Sequence, residues 1–309
     1  EQIGRTKISR ENDSWKIHFP KELLSGAKMF VTLEPCSFAG KTPSCAELLS
    51  QLPVSQITIA IKDPHPRVSG RGVQMLKSAG VSVRVLEDEG LEYEEITRAA
   101  RALAEPFLIQ QTKGRPFVSL KVATSLDGMM GLESGESQWI TSNESRLFAR
   151  FLRGSHEATL VGKNTILQDN PFLDARETIF KEEKRFLFVL DSRGEILTKP
   201  HLRIFSSYPK ERIFVVVDES QTRSQIESSN LATLVKVNAN TSTSTSTSAS
   251  ANANASVNSL AQVMNHLRQM NIQSLWIEGG SRVLSSALAN GLGDRLWLFQ
   301  GPHLIGGDH

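Results

Sequence analysis

Only two of the 309 residues are cysteine and only two are tyrosine. So few thiols exclude a disulfide-scaffolded secreted fold, and a reducing, cytoplasmic setting is the expectation. Long apolar runs are missing as well. No stretch approaches the roughly 18 apolar residues that a membrane-spanning helix needs. An excess of one charge is also lacking: 35 lysines and arginines face 33 acidic residues, for a net charge of +2. Neither nucleic acid nor an anionic membrane is therefore expected as a partner. Nothing near Glu1 resembles a signal peptide, and because this residue is not Met the sequence is expected to begin inside a domain.

What is present is a repeated alternation. Apolar, β-branched runs at Met29–Leu33, Ile57–Ile61 and Val81–Val85 read as strands, with helical spacing in "CAELLSQL" and "GVQMLKSAG" between them. A helical stretch, "EGLEYEEITRAARALAEPF", leads into the polar "QQTKGRP", which makes residues 111–116 a domain boundary. A second alternation follows. Its strands are expected at Phe117–Ala123, Ala158–Val161, Arg185–Leu190, Ile213–Val217, Leu231–Val237, Ser274–Ile277 and Arg295–Phe299. Its helices are expected at Ser145–Arg153, Leu260–Gln269 and Val283–Ala289. Both halves are α/β, with largely parallel sheets: one domain over residues 1–110 and another over 116–309. The tract "NANTSTSTSTSASANANAS", residues 238–256, has almost no side chain larger than alanine to bury, and reads as a disordered surface insertion.

The two cysteines lie nine positions apart in "VTLEPCSFAGKTPSC". Chance, a disulfide and a pair of metal ligands all fit that spacing. Cys36 follows a strand end and Pro35, while Cys45 opens a helix whose start is marked by the Ser44–Glu47 capping-box spacing. A helix N-terminus favours the thiolate that metals bind. Zinc nucleobase deaminases carry H-x-E…P-C-x-x-C, but here eight residues separate the cysteines instead of two.

The longer loop is itself informative. "TLEPCSFAGKTPSCAELL" resembles the deaminase domain of the bifunctional riboflavin-biosynthesis deaminase/reductase family, and "IAIKDPHPRVSGRGVQMLKSAGVSV" is similar to the same domain. Phe38 and Ser44 depart from the family pattern, neither at a ligand position. The resemblance implies a cytidine-deaminase-like fold with Zn2+ on Cys36 and Cys45. It also implies an upstream H-A-E motif supplying a third ligand and a proton-shuttling glutamate, which this sequence does not contain. His18 has no glutamate after it, and Glu1 is an outside candidate for the missing acid.

The second half resembles the reductase domain of the same family, through "RPFVSLKVATSLDGMMGLESGESQWITSNESRLFARFLRGSHEATLVGKNTILQDNPFLDAR" and "LWIEGGSRVLSSAL". A dihydrofolate-reductase-like fold is implied, with NADPH as cofactor and a small phosphorylated pyrimidine as substrate. Substrate contacts carry over to Ser137, Arg153, Leu173, Arg176 and Glu278. NADPH contacts carry over to Ala123, Trp139, Thr165, Asp169, Ser192 and the run Gly280, Ser281, Arg282, Val283, Leu284, Ser285 and Ser286. Lys121 is a further candidate to face the site. The chemistry agrees with these assignments. Arg153 and Arg176 offer planar cationic forks for a sugar phosphate. Gly279 and Gly280, between a strand and a helix, let a pyrophosphate approach backbone amides. A second capping box is expected at Thr141 and Glu144.

The implied activity is zinc-dependent hydrolytic deamination of a phosphoribosylated diaminopyrimidine, followed by NADPH-dependent reduction of ribosyl to ribityl. A reductase with a non-catalytic first domain is the alternative, and a non-catalytic nucleotide-binding module is a rival of another class. The sequence is also expected to stop short of a final strand pair, and a homo-oligomer stays open.

Overall fold

In the computed structural model, the described residues are 7–11, 14–18, 24–40, 42–132, 140–181, 185–221, 226, 228–237 and 251–306, with the backbone alone at 7–18 and 251–259. The chain divides into two compact units, Glu1–Gly114 and Arg115–His309.

The first unit opens with an antiparallel hairpin, β1 (Lys7–Glu11) and β2 (Ser14–His18). A parallel three-stranded sheet follows in the order β3 (Lys28–Leu33), β4 (Gln56–Ile61) and β5 (Ser82–Val85). Helices α1 (Cys45–Ser50), α2 (Arg71–Ser78) and α3 (Glu94–Lys113) complete it. Strand β4, "QITIAI", is the middle strand and its last five residues are buried. A parallel strand covered on both faces has no side left to offer water, which is why it reads as continuous β-branched apolar sequence. Ile57 and Ile59 pack with Ala46 and Leu49 of α1 and with Val73 and Leu76 of α2. Ala60 and Ile61 pack with Ala100 of α3.

The second unit is a seven-stranded sheet in which every pairing is parallel. In chain order its elements are β6 (Phe117–Thr124), α4 (Asn143–Gly154), β7 (Ala158–Gly162), α5 (Lys163–Asp169), β8 (Phe186–Leu190), the short α6 (Ile204–Ser207), β9 (Ile213–Asp218), β10 (Thr233–Val237), α7 (Ala251–Gln269), β11 (Ser274–Ile277), α8 (Ser281–Ala289) and β12 (Arg295–Gln300). In space the strands run β10-β9-β8-β7-β11-β6-β12. Side chains alternate between two cores, as a period of two requires. Phe188, Phe214 and Val216 face α7 and α8, with Leu260, Val263, Leu267, Val283 and Leu284. Leu187, Val189, Ile213, Val215 and Val217 face the other way, onto Ile166 of α5 and Ile196, Leu202 and Ile204.

Three expectations are corrected. The low-complexity tract is not wholly an insertion, because its last six residues form the first turns of α7. Three alanines alternate with the polar residues there, and alanine is the strongest helix former. Residues 238–250 lie outside the described part. The second capping box sits one residue later than expected: Ser142, not Thr141, caps α4 and accepts from the Ser145 N–H at 3.2 Å. Thr141 instead gives its carbonyl to Arg146 at 2.7 Å. Helix α3 also runs on past Pro106 to Lys113, and stops where Gly114 takes a left-handed φ of 63°.

His156 ties α4 to the sheet. Its Nδ1 lies 2.7 Å from the Leu152 carbonyl and its Nε2 lies 2.9 Å from Ser119 Oγ, between the rings of Phe117 and Trp276. Burial, reinforced by the charges of Arg295 and Arg185, lowers its pKa from 6.5 to about 4. The unfolded chain therefore binds the proton first as pH falls. The stabilisation is complete above about pH 6.5 and is lost toward pH 4, an effect of about 3 kcal/mol. Urea unfolding of the full chain, followed by tryptophan emission across that range, should show this slope. His156→Gln should flatten it, whatever it does to stability at neutral pH.

Candidate active site

The order of strands in the second unit determines where a ligand fits. Strand β11 is inserted between β6 and β7, so the chain leaves β6 toward one side and later returns to fill the gap. In an open parallel sheet the carboxyl ends of strands at such a reversal diverge and leave a crevice. A cleft of about 670 Å³ lies there. Its walls come from the late part of β6 (Lys121 and Ala123), from α5 after β7 (Thr165 and Asp169), from the loop that follows (Leu173 and Arg176) and from the β11–α8 turn (Glu278, Gly279, Gly280 and Ser281). Arg146, Arg150 and Arg153 of α4 line it too. The volume is in the usual range for small-molecule and cofactor sites.

Two buried charges hold the floor. Arg153 Nε lies 2.6 Å and Nη2 3.1 Å from the two carboxylate oxygens of Glu278, and Nη1 donates to the Asp174 carbonyl at 2.8 Å. Burial would push the Glu278 carboxyl up, but the Arg153 guanidinium and, more weakly, Lys121 hold it below the usual carboxylate range. Burial opposes the charge on Arg153 as well, and Glu278 more than restores it. Arg153 is thus an anchor whose fork is already occupied. Lys121 stands beside this pair. Burial lowers its pKa, Glu278 and Asp169 pull it back up, and Arg153 pushes it further down.

The opposite wall is open backbone. Gly279 has φ +125°, and a Cβ there would meet Thr165 Oγ1 at 2.7 Å. Only glycine holds that turn without strain and without a clash. Gly280 is the N-cap of α8 and no side chain caps the helix. A Cβ on Gly280 would meet nothing within 4 Å. The first amides of a nine-residue helix therefore face the cleft, with the positive end of the helix dipole behind them. These residues fit the pyrophosphate of a dinucleotide such as NADPH.

The expected residues distribute unevenly around this geometry. Ala123, Arg153, Thr165, Asp169, Leu173, Arg176, Glu278, Gly280 and Ser281 all line the cleft, as does Lys121. Val283, Leu284 and Ser286 turn inward from α8, Val283 and Leu284 into the core, while Arg282 and Ser285 are exposed outside the cleft lining. Helical periodicity leaves only the first turn of that run to meet a ligand. Ser192 lies in the turn after β8, where its carbonyl accepts from Asp218 N at 2.9 Å, and it does not line the cleft. Ser137 and Trp139 lie outside the described residues. Arg146, Arg150 and Arg203, which the sequence reading passed over, line the cleft as well. For the first two, the signal was their i, i+4 and i+7 spacing with Arg153 on one helix.

In the first unit, Ser44 caps α1 as expected, accepting from Glu47 N at 3.2 Å. Cys36 Sγ accepts from the Cys45 N–H at 3.3 Å, so the two cysteines do meet. The thiolate-favouring effect expected at the helix start is outweighed. Burial, and then Cys36, push the Cys45 thiol up. Both cysteines are free thiols. Among the described residues no group of three or more His, Cys, Asp or Glu side chains is placed to hold a metal ion. Two thiols fill half of a tetrahedral zinc site, and the described residues do not complete it. The side chains of Glu1 and His18 lie outside them.

Together, the switch-point cleft, its uncapped helix start and its arginine wall define an α/β domain whose cleft suits phosphorylated, nucleotide-sized ligands. Comparison with known proteins makes this specific. Residues 116–309 match the family model of the RibD C-terminal domain. The riboflavin biosynthesis protein RibD of Aquifex aeolicus is 32% identical over 285 residues, covering 92% of this chain and 72% of the relative. That of Escherichia coli K12 is 32% identical over 298 residues, covering 93% and 73%. The crystal structure of a diaminohydroxyphosphoribosylaminopyrimidine deaminase/5-amino-6-(5-phosphoribosylamino)uracil reductase from Thermotoga maritima has a TM-score of 0.69 at 28% identity, covering 92% of this chain and 70% of that one. Acinetobacter baumannii RibD gives 0.70 at 29%, covering 93% and 72%. The chain belongs to the RibD family, and its second unit is the dihydrofolate-reductase-like reductase domain of that family.

The Arg153–Glu278 pair yields a test. Removing one partner strands the other charge in a buried site, at a cost of about 3–5 kcal/mol. Glu278→Leu should therefore lower unfolding stability by about that amount. The double variant Glu278→Leu/Arg153→Met should recover part of it in the same denaturant titration.

Proposed function

We propose that this chain acts in riboflavin biosynthesis and that its second unit reduces the ribosyl group of a phosphorylated ribosylaminopyrimidine to ribityl, using NADPH. The observation that carries the reading is the meeting of two anion-binding surfaces on one cleft. One is the uncapped start of α8 at Gly280, suited to a dinucleotide pyrophosphate. The other is the arginine wall with Arg176, suited to a sugar phosphate.

NADPH, when bound, supplies the hydride. The chain supplies position and charge. Arg176 is half-exposed, paired with Asp174 Oδ1 at 2.5 Å and stacked on Phe172 with its guanidinium carbon 4.7 Å from the ring centre. That arrangement presents a fork toward incoming phosphate. Glu278 and Arg153 neutralise each other and keep the floor rigid, so the sugar meets a fixed surface. Opening the ribosyl ring leaves its ring oxygen in need of a proton as C1′ becomes a methylene carbon. Lys121, whose proton burial has loosened, is a cleft-lining residue and is the donor in this reading.

For the first unit, the reading of zinc-dependent deamination stands on the family resemblance and on the meeting of Cys36 with Cys45. The described residues complete neither the metal site nor its proton shuttle. No helix among the described residues is long and apolar enough to cross a membrane. A nucleic-acid or membrane partner and a homo-oligomer play no part in the reading.

Steady-state reduction by the full chain, followed as loss of NADPH absorbance, tests the assignments. Arg176→Lys keeps the charge and loses the fork, so substrate KM should rise about tenfold while NADPH affinity holds. A loss of NADPH affinity with substrate KM intact would move Arg176 to the cofactor side. Lys121→Met should reduce kcat about 100-fold with little change in substrate KM. Prior treatment with a zinc chelator should leave the reduction rate unchanged.

A further inference from the structure

Helix α4 carries Arg146, Arg150 and Arg153 at spacings of four and three, which puts them on one side of the helix. All three line the cleft, and Arg153 is committed to Glu278. Arg150 is placed differently. Its Nη2 meets the carboxylate of Glu177, whose side chain is 63% exposed, while its Nε is buried and has no partner. A largely buried guanidinium with one donor unmet and another resting on an exposed carboxylate is an incompletely satisfied anion receptor. Arg146, Arg150 and Arg176 also line a second hollow of about 480 Å³ together with Glu177, so the receptor borders open space.

The backbone that carries Glu177 is unusual. Four described residues other than glycine have positive φ, and three of them lie in one loop: Asn170 at 41°, Leu173 at 57° and Glu177 at 64°. Glutamate adopts that conformation only where its surroundings impose it, and such conformations cluster at ligand sites and switches. Here Arg150 provides the contact that holds the Glu177 carboxylate.

We propose that Arg150 is a further anion-binding residue of the cleft, taking the phosphate monoester of the substrate together with Arg176. Glu177 occupies Arg150 Nη2 until that phosphate displaces it. A phosphate monoester brings nearly two charges and three acceptor oxygens, and so outcompetes one solvent-exposed carboxylate for a bidentate fork. The inference rests on the reductase reading for the identity of the phosphate-bearing molecule, while its arginine chemistry is tested separately.

The probe is ribose 5-phosphate, titrated calorimetrically into the full chain with ribose as the uncharged control. Arg150→Gln should weaken ribose 5-phosphate at least fivefold, and Arg150→Lys should recover part of that loss. Glu177→Gln removes the competitor and should tighten binding severalfold. Ribose alone should respond to none of these changes. NADPH titrated into the same samples reports folding of the cleft and tests the reductase reading by itself. If wild-type chain fails to bind NADPH, that reading falls, and the ribose 5-phosphate series still decides the role of Arg150. The proposal is overturned if wild type shows no saturable ribose 5-phosphate binding, if Arg150→Gln binds it as tightly as wild type, or if Glu177→Gln weakens it. Should Arg150→Gln fail to fold, the Glu177→Gln result decides alone.

Discussion

A buried arginine bonded to a buried glutamate, 125 residues apart in sequence, is the constraint on which the second unit's site depends. Neither charge tolerates a dry interior alone, so the two elements that carry them have to meet. Arg153 fixes the last turn of α4 against the sheet, and its remaining donor reaches the Asp174 carbonyl in the loop that carries Arg176. Glu278 fixes the residue before the two glycines that open α8, and its own N–H donates to the Leu160 carbonyl of β7 at 3.1 Å. One ion pair therefore sets three walls of the cleft relative to one another. The cationic surface and the open helix start keep their spacing because the charges beneath them leave no slack.

The first unit uses a related device with one charge. Glu34, almost fully buried at the end of β3, accepts from the amides of Asp63 at 3.3 Å, Gly70 at 3.0 Å and Val73 at 3.2 Å. A carboxylate that collects several backbone donors at a helix start needs no cation beside it. Helix α2 consequently sits close against the Pro35 carbonyl. A Cβ on Gly72 would come within 2.0 Å of that oxygen, so only glycine fits there. Cys36 follows directly, so the backbone that carries it is held by the glutamate two residues before it and by a glycine in α2.

Much of this was legible in the sequence. The expected strands lie within two residues of the observed ones, and for β4, β7, β9 and β11 the reason is that buried parallel strands are continuous apolar runs with little else to compete for them. The Ser44 cap was legible because capping depends on residues three apart. The Ser142 cap was misplaced by one, since Thr141 and Ser142 are both good caps and only the fold decides between them. The first turns of α7 were hidden by a composition that reads as unstructured until a helix anchored by Leu260, Val263 and Leu267 extends through it. Many of the cleft-lining residues, from Lys121 to Ser281, were reached through motifs, while Arg146, Arg150 and Arg203 were not, and neither was what each side chain bonds to. Nothing local to Arg153 tells that its fork belongs to Glu278, and nothing local to α8 except its period tells that Val283 and Leu284 point away from the ligand.

The placement of β11 has a consequence for how the chain is made. Strand β6 ends at Thr124 and β11 begins at Ser274, so about 150 residues separate two strands that lie side by side. At a translation rate of about 5–20 residues per second, β6 waits on the order of 10–30 s for that neighbour to be synthesised. Its other neighbour, β12, is later still. During that interval the nascent chain exposes an apolar strand with both edges unpaired, the kind of surface that chaperones bind and aggregates recruit. The strand that fills the place between β7 and β6, "SLWI", is only four residues long and fully buried. Assembly of this sheet therefore includes a late, short insertion into a gap between strands made long before it.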